Sequence, residues 1–189
     1  YLSLSNTVGG AVFAHGELSQ GKNFRCGEAG HNDLVPDGGL CYCGKKGCLD
    51  VYCSAKRLAD TKEGNLEAFF SALKAGEEKS AALWEDYTDK LAVAVNNLHM
   101  ILDCDIVLGG YVGSYLEPYL DAVWKKIYQR NTFGESMPFV EPAGIKGGAA
   151  ALGAGLRVIE SFLETGKTEK ITIFFIDFFV PLLYYKNII

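Results

Sequence analysis

The chain has 189 residues, 49% of them hydrophobic, and its formal net charge is −5 at pH 7. A chain of this size and apolar content can bury one good core, with room for an appendage. The acidic balance excludes this segment from the class of proteins that bind nucleic acid through a basic surface, because phosphate contacts depend on clustered Lys and Arg.

Hydrophobic periodicity predicts strands at the start of the chain and mainly helices after residue 50. Turns are predicted at 6–10 and at His15-Gly16. Asn65 has the position of a helix N-cap, and Gly76 that of a helix end. The predicted strands cover 1–5, 11–14, 105–108 and an extended 138–141, and the predicted helices cover 51–59, 66–75, 78–102, 114–129 and 148–164.

Helices that alternate with a short apolar strand are typical of an α/β layered domain, here with an initial antiparallel hairpin. In the longest helix, Trp84 and Tyr87 have the spacing of core residues. His15 is expected in a turn, and His99 on the surface of its helix.

Residues 165–189 form an apolar tail. Its most apolar part, 171–185, is shorter than a membrane-spanning helix needs and is interrupted by Asp177 and Pro181. An extra strand, a partner-binding segment, a read-through product and a membrane anchor all stay open as interpretations of this tail. For the chain as a whole no membrane partner is expected.

One imidazole and three thiols are clustered between residues 31 and 48. Four soft or borderline ligands are the number that a closed tetrahedral zinc site takes, and glycines at 44 and 47 let the chain curl so that the sulfurs converge. The other three cysteines have no paired spacing, which favours free thiols and a cytoplasmic location over disulfides. The predicted zinc ligands are His31, Cys41, Cys43 and Cys48.

Two carboxylates, Glu28 and Asp50, bracket this cluster. Carboxylates accept charge-assisted hydrogen bonds from hydroxyl groups, and a metal-pinned loop holds them rigidly, so a polyhydroxyl ligand is the favoured partner. Two alternatives stay open. In the first, the zinc site is purely structural and has no part in ligand binding. In the second, Glu28 orients His31, because metal-bound imidazoles usually donate their other N–H to a carboxylate or carbonyl.

Several motifs together resemble the ROK family of repressors, open reading frames and sugar kinases. They are GEAGH at 27–31, PDG at 36–38, CYCGKKGCLD at 41–50, IVLGG at 106–110 and GGAAALGA at 147–154. The resemblance implies an actin-like, ribonuclease-H-like ATPase fold in two lobes, with residues 1–164 as the C-terminal lobe and the zinc loop at 27–50.

The resemblance also implies roles for individual residues. Glu28 and His31 match residues that contact the sugar. Asp50 stands where the family usually has Glu, so it keeps the charge but is one methylene shorter. Gly109 and Gly110 match the strand-to-turn segment on the nucleotide side of the cleft.

Departures from the family pattern bear on activity. The hairpin turn that approaches phosphate is rich in glycine in active kinases, because backbone N–H groups must come close to the oxygens. Here Ser5 and Thr7 replace two of those glycines, and Tyr111 follows Gly110 where kinases often keep a small residue. The family's catalytic Asp and first phosphate loop belong to the segment before residue 1, so no catalytic residue is expected within this chain.

These observations favour the sugar-sensing effector domain of a ROK transcriptional regulator over a kinase. The expected effector is a sugar or sugar phosphate, the expected assembly is a homodimer, and DNA would be bound by a helix-turn-helix in the N-terminal part. The alternative is the C-terminal lobe of a hexose or N-acetylhexosamine kinase that uses ATP and Mg²⁺. A third hypothesis is a zinc-stabilised lobe that only dimerises.

Overall fold

The computed structural model describes residues 1–133 and 138–165. The central element of the fold is a mixed four-stranded sheet with the strand order β2-β1-β5-β6. β1 pairs antiparallel with β2 and parallel with β5, and β5 pairs parallel with β6. Within the described ranges the strands are β1 (Leu2–Leu4), β2 (Val8–Gly10), β3 (Phe13–Ala14), β4 (Glu17–Leu18), β5 (Ile106–Gly109) and β6 (Val140–Pro142).

Helices cover the sheet, and the 25-residue α4 packs against α1, α3 and α6. The buried side chains of the sheet and of these helices form one continuous core. In the described part of the chain the α-helices are α1 (Leu49–Cys53), α2 (Ala55–Ala59), α3 (Leu66–Lys74), α4 (Glu78–Leu102), α5 (Gly110–Gly113), α6 (Leu120–Tyr128) and α7 (Ala149–Thr165).

The second strand lies earlier than the sequence predicts. β2 is directly opposite β1, with Leu2 facing Gly10 and Leu4 facing Val8, so the hairpin turn is 5–7 rather than 6–10. Gly10 belongs to the strand through its pairing with Leu2, and its lack of a side chain leaves room for a neighbouring loop: a Cβ on Gly10 would lie 2.9 Å from the carbonyl oxygen of Gly27. A glycine within a strand often marks such a close approach of another backbone.

The predicted turn at His15-Gly16 is confirmed. It joins β3 and β4, which form a separate small hairpin, and both turn residues have positive φ, 56° at His15 and 86° at Gly16. Residues 11–14 were expected to pair with the first strand. Ala11 does pair there, since it exchanges two backbone hydrogen bonds of 2.9 Å with Tyr1, whereas Phe13–Ala14 pair with β4 instead.

The predicted helix at 78–102 is confirmed as α4. The N-cap at Asn65 is also confirmed, because its side chain accepts a hydrogen bond from the backbone N–H of Ala68 at 2.9 Å. The helix predicted over 51–59 is two short helices, since Ser54 is extended between them, with φ −74° and ψ 152°.

The helix predicted over 114–129 is shorter than expected. The Gly-Gly turn starts α5 at once, and a single 3-10 turn at Glu117–Tyr119 precedes α6. Pro118 lies in that turn, where it fits the first positions of a helix but not an interior. Helix α7 agrees with the predicted 148–164 to within a residue at each end.

The expectation for Trp84 and Tyr87 is confirmed, because both are buried and their rings stack at 5.4 Å. The expectation for His99 is wrong. His99 is buried, its ring stacks on Phe139 with centroids 3.5 Å apart, and its Nδ1 lies 2.9 Å from the carbonyl oxygen of Cys104. Periodicity within one helix could not show that Phe139, the residue directly before β6, packs over this face.

The apolar tail at 165–189 lies outside the described residues, except for Thr165 at the end of α7. Across the part of the chain that is described, none of the helices has the length and apolar character needed to cross a membrane.

Candidate metal centre

A tight loop between residues 27 and 50 carries the Cys/His cluster. Two isolated β-bridges, Asp33–Cys48 and Leu40–Lys46, bring its two arms together. Gly47 makes this possible. Its φ is +85°, and a Cβ there would lie only 2.2 Å from the carbonyl oxygen of Val35, so a side chain fits neither the backbone conformation nor the space.

The four predicted ligand side chains converge. Their donor atoms, one imidazole nitrogen and three sulfurs, all lie within 4.8 Å of one another. The Sγ atoms of Cys43 and Cys48 are 3.7 Å apart, close to the ~3.8 Å that two sulfurs take when each is ~2.3 Å from one tetrahedral ion. Nδ1 of His31 lies 3.9 Å from Sγ of Cys41. The donor set and its spacing therefore fit a tetrahedral metal ion.

Burial divides the ligands into two pairs. Cys41 and Cys48 are each 3% exposed, whereas Cys43 and His31 lie on the surface. Burial, together with the neighbouring thiols, raises the pKa of Cys48 to about 12. A backbone hydrogen bond from Lys45 lowers the pKa of Cys43. A thiol that coordinates a metal is deprotonated, so metal binding at this cluster would release protons to water.

The outward nitrogen of His31 faces Tyr42. Nε2 lies 3.3 Å from the hydroxyl oxygen of Tyr42, and the two rings meet edge to face with centroids 5.4 Å apart. No motif in the sequence assigns a role to Tyr42. A role for Tyr42 could have been inferred from its position between Cys41 and Cys43, since a residue so placed stays close to any metal ion that the two cysteines bind.

Asp50 is buried at the start of α1, where its Oδ1 accepts a hydrogen bond from the backbone N–H of Val8 in β2. Burial raises the pKa of Asp50, while this hydrogen bond and the charge of His31 lower it. One carboxylate oxygen is therefore committed to the sheet, and the hydrogen bond ties the ligand loop to β2.

Glu28 is exposed and directly precedes the 3-10 turn Ala29–His31. Burial raises the pKa of Tyr42, and the negative charges of Asp50, Cys41 and Glu28 add to the rise. Of the residues expected to contact a ligand, Glu28 and Asp50 thus act electrostatically on the hydroxyl of Tyr42, and Nε2 of His31 lies 3.3 Å from that hydroxyl. Their contact with a sugar stays a prediction.

A cavity of about 370 Å³ lies beside β1. It brings together three segments that are far apart in sequence: the hairpin turn at 5–7, the Gly110-Tyr111 turn and the start of α7. Gly110 has φ +76°, and its N–H donates a hydrogen bond to the hydroxyl of Tyr1 at 3.1 Å. Gly109 does not itself line this cavity; it packs against the phenol ring of Tyr1.

Several side chains that carry a hydroxyl group line this cavity. Ser3 and Ser5 place their Oγ atoms 3.1 Å apart, and Ser3 also hydrogen-bonds the phenol of Tyr1. Tyr111 is 56% exposed at the rim. Ser5, Thr7 and Tyr111 all line the cavity, and the expectation that they crowd a nucleotide there stays a prediction.

The sheet order, with the Cys/His loop beside its hairpin, defines a lobe of an α/β protein that has a group able to hold a metal ion. The sequence model of the ROK family matches residues 1–160. The chain belongs to the ROK family.

Curated relatives of the chain include N-acetylmannosamine kinases. The protein from Vibrio cholerae serotype O1 is 32% identical over 138 residues, which are 69% of this chain and 47% of that protein. The protein from Citrobacter koseri is 30% identical over 129 residues, which are 65% of this chain and 44% of that protein. The chain spans about half the length of the curated relatives it matches.

Solved structures share the fold. The ROK hexokinase from Thermus thermophilus superposes with a TM-score of 0.71 at 27% identity, covering 87% of this chain and 57% of the hexokinase. A ROK family transcriptional regulator, a homologue of the E. coli Mlc protein, superposes with a TM-score of 0.59 at 20% identity, covering 69% of this chain and 37% of the regulator. The fold is the actin-like ATPase fold of the ROK sugar kinases, as the sequence resemblance implied.

Proposed function

We propose that this chain is the sugar-sensing lobe of a ROK transcriptional regulator. The observation that carries the proposal is the lining of the 370 Å³ cavity, where Ser5, Thr7 and Tyr111 stand along the path expected for a nucleotide. A phosphate-binding turn works by bringing bare backbone N–H groups close to oxygens. Side chains in that turn hold phosphates away, which favours a lobe that senses a sugar over one that phosphorylates it.

Zinc is the proposed ion of the Cys/His centre. A set of three thiolates and one imidazole with sulfurs 3.7 Å apart suits a tetrahedral structural zinc site. All four positions are taken by protein atoms, so such an ion has no open position for a substrate. Its proposed role is to hold the 27–50 loop in shape.

The sugar is proposed to bind beside this loop. Glu28 and His31 are exposed, and Asp50 has a carboxylate oxygen besides the one that accepts from Val8. Carboxylates accept hydrogen bonds from neighbouring hydroxyl groups, and such charge-assisted bonds are the stronger ones. The ligand class is accordingly a sugar or sugar phosphate.

Regulation follows from differential affinity. A sugar that binds more tightly to one arrangement of the two lobes shifts the protein towards it, and the coupling to a second ligand is reciprocal. The second ligand proposed is DNA, bound by a helix-turn-helix in the N-terminal part, with a cytoplasmic homodimer as the assembly. Residues 1–164 are proposed as the lobe, and residues 165–189 as a tail of separate role.

The second candidate is the C-terminal lobe of an ATP-dependent sugar kinase. Relatives at 30% and 32% identity are N-acetylmannosamine kinases, and the cavity does combine a hairpin turn with the start of a helix, the usual elements of a phosphate site. In that case ATP and Mg²⁺ are the cofactors, and Gly109 and Gly110 lie on the nucleotide side. The third hypothesis, a lobe that only dimerises, predicts no sugar binding at all.

The test uses the whole protein. Fluorescence anisotropy with DNA from its own promoter is measured against a panel of hexoses, N-acetylhexosamines and their phosphates, alongside ADP production with each free sugar and ATP. A sugar-dependent change in DNA affinity without ADP production supports the regulator. Sugar-dependent ADP production overturns it in favour of the kinase. The same measurements are made on the variant Glu28→Gln. It should weaken the sugar response while leaving the DNA affinity in the absence of sugar unchanged.

A further inference from the structure

Tyr42 lies in the chain between two metal-ligand side chains, Cys41 and Cys43. Its own side chain is 69% exposed, so burial of apolar area does not account for an aromatic residue here. Yet its hydroxyl oxygen lies 3.3 Å from Nε2 of His31, and its ring meets the imidazole edge to face. Binding a metal through both neighbouring cysteines would fix the backbone of Tyr42 on each side.

The two nitrogens of His31 face different groups. Nδ1 is on the side of the thiols, 3.9 Å from Sγ of Cys41, and Nε2 is on the side of Tyr42. An imidazole that binds a metal through Nδ1 can carry its proton only on Nε2. That N–H donates, and the hydroxyl oxygen of Tyr42 is in position to accept.

We propose that Tyr42 is a positioning residue of the metal centre. Its hydroxyl accepts the Nε2–H of His31, which holds the imidazole in the tautomer and orientation that bind a metal through Nδ1. The inference rests on the proposed metal site and adds to it the group that retains the exposed ligand. Among the four side chains of the group, His31 is the nitrogen donor and lies at the surface, so its release would open the site to water and chelators.

The orienting group is thus a phenol from within the loop, whereas the sequence allowed Glu28 for this role. A partner of the second nitrogen typically changes metal affinity by about 10–100-fold. Because Tyr42 is exposed and the contact is 3.3 Å long, we expect an effect at the lower end, about tenfold.

The experiment compares Tyr42→Phe with wild-type whole protein. Phe keeps the ring contact with His31 and removes only the hydroxyl. Zinc release to an excess of a chromogenic chelator is timed, and exchange of the His31 Nε2–H with water is followed by NMR in protein labelled with ¹⁵N at histidine. The control, Tyr128→Phe, removes an exposed hydroxyl on α6, away from the loop.

We expect Tyr42→Phe to release zinc about tenfold faster and to exchange the Nε2–H faster, with the Co²⁺-substituted absorption spectrum of a tetrahedral site retained. Tyr128→Phe should match wild type in all three. Zinc release and Nε2–H exchange equal to wild type in Tyr42→Phe overturn the inference while leaving the metal site intact. A wild-type protein that retains no zinc when purified under reducing conditions overturns the metal site and this inference together, whatever its sugar response.

Discussion

The side chain of Asp50 accepts a hydrogen bond from the backbone N–H of Val8, 42 residues earlier in the chain. This bond joins the helix that follows the metal-ligand loop to the second strand of the sheet. Both residues are buried, so the N–H has no water to replace a lost acceptor. A residue that the sequence marks only as a sugar contact therefore also anchors the loop.

We expect Asp50→Ala to lower the free energy of unfolding by about 1–3 kcal/mol, because it leaves the N–H of Val8 buried without an acceptor. Asp50→Asn keeps an oxygen at the same place and should lose less. Urea denaturation of both variants measures the difference. In the sugar-sensing proposal both variants weaken sugar binding, since both remove the charge that strengthens a bond to a hydroxyl. Equal destabilisation by Ala and Asn would contradict the anchoring role.

Replacing Cys48 by Ala should abolish metal binding. Cys48 is one of two buried ligands, and a tetrahedral site with three ligands left binds zinc far more weakly. Elemental analysis of reduced protein should find about one zinc per chain in wild type and almost none in the variant, with a lower melting temperature. Cys26→Ser is the control, because Cys26 is a free thiol outside the cluster. Retention of zinc by Cys48→Ala would remove Cys48 from the ligand set.

Two glycine substitutions should act in opposite directions. Gly110→Ala puts a Cβ 2.6 Å from the backbone nitrogen of Leu4 at a φ of +76°, so we expect a loss of more than about 1 kcal/mol of stability. Gly155→Ala is placed in helix α7 with nothing within 4 Å of the new Cβ, and should gain up to about 1 kcal/mol. Thermal unfolding measures both. Tolerance of Ala at 110 would mean that the β5–α5 turn is free to move.

Tyr87→Phe should destabilise the core although it removes a single atom. The hydroxyl of Tyr87 is fully buried and donates to the carbonyl oxygen of Cys53 at 2.6 Å. Leaving that carbonyl without its donor costs about 1–3 kcal/mol. Tyr128→Phe, at a tyrosine 49% exposed, is the matched control and should change stability by less than about 0.5 kcal/mol. Urea denaturation distinguishes the two.

The ion pair between Arg57 and Asp86 should make stability depend on pH. A hydrogen bond from the Arg57 guanidinium lowers the pKa of Asp86 below its usual 3.8. A carboxyl group with a lowered folded-state pKa stabilises the fold above its unfolded pKa, and the contribution is lost as pH falls through the folded one.

We therefore expect Asp86→Asn to cost up to about 1 kcal/mol at pH 7, the usual range for a partly exposed pair. The difference from wild type should shrink as pH falls below about 4. Urea denaturation from pH 3 to pH 7 tests this, with Glu17→Gln on the exposed β4 strand as control. A difference that stays constant down to pH 3 would refute the assignment to ionised Asp86.

Local patterns were sufficient for several elements. The helix at 78–102 and the cap at Asn65 follow from contacts within one or a few turns of chain, so periodicity and capping residues predict them. The cluster of His31 with three cysteines was equally readable, because a closed metal site needs particular donor atoms close together in a loop that glycines allow to bend.

Other features depend on which segments meet. Gly9-Gly10 looks like a turn until the loop at Gly27 is seen to approach the strand, and His99 looks exposed until Phe139 packs on it. Neither neighbour is close in sequence, so no window of residues contains the information. The same holds for Asp50, whose hydrogen-bond partner in β2 is set by the sheet and not by its own helix.

The sequence by itself determined the family and most helices and predicted the metal-ligand set, because each of these rests on residue types at short spacing. Only the tertiary structure decided that the 5–7 turn, the Gly110 turn and α7 share one cavity, and that Tyr42 faces His31 across the ligand loop. These relations arise from the packing of the sheet and the folding of the loop, which set distances between side chains that no spacing along the chain encodes.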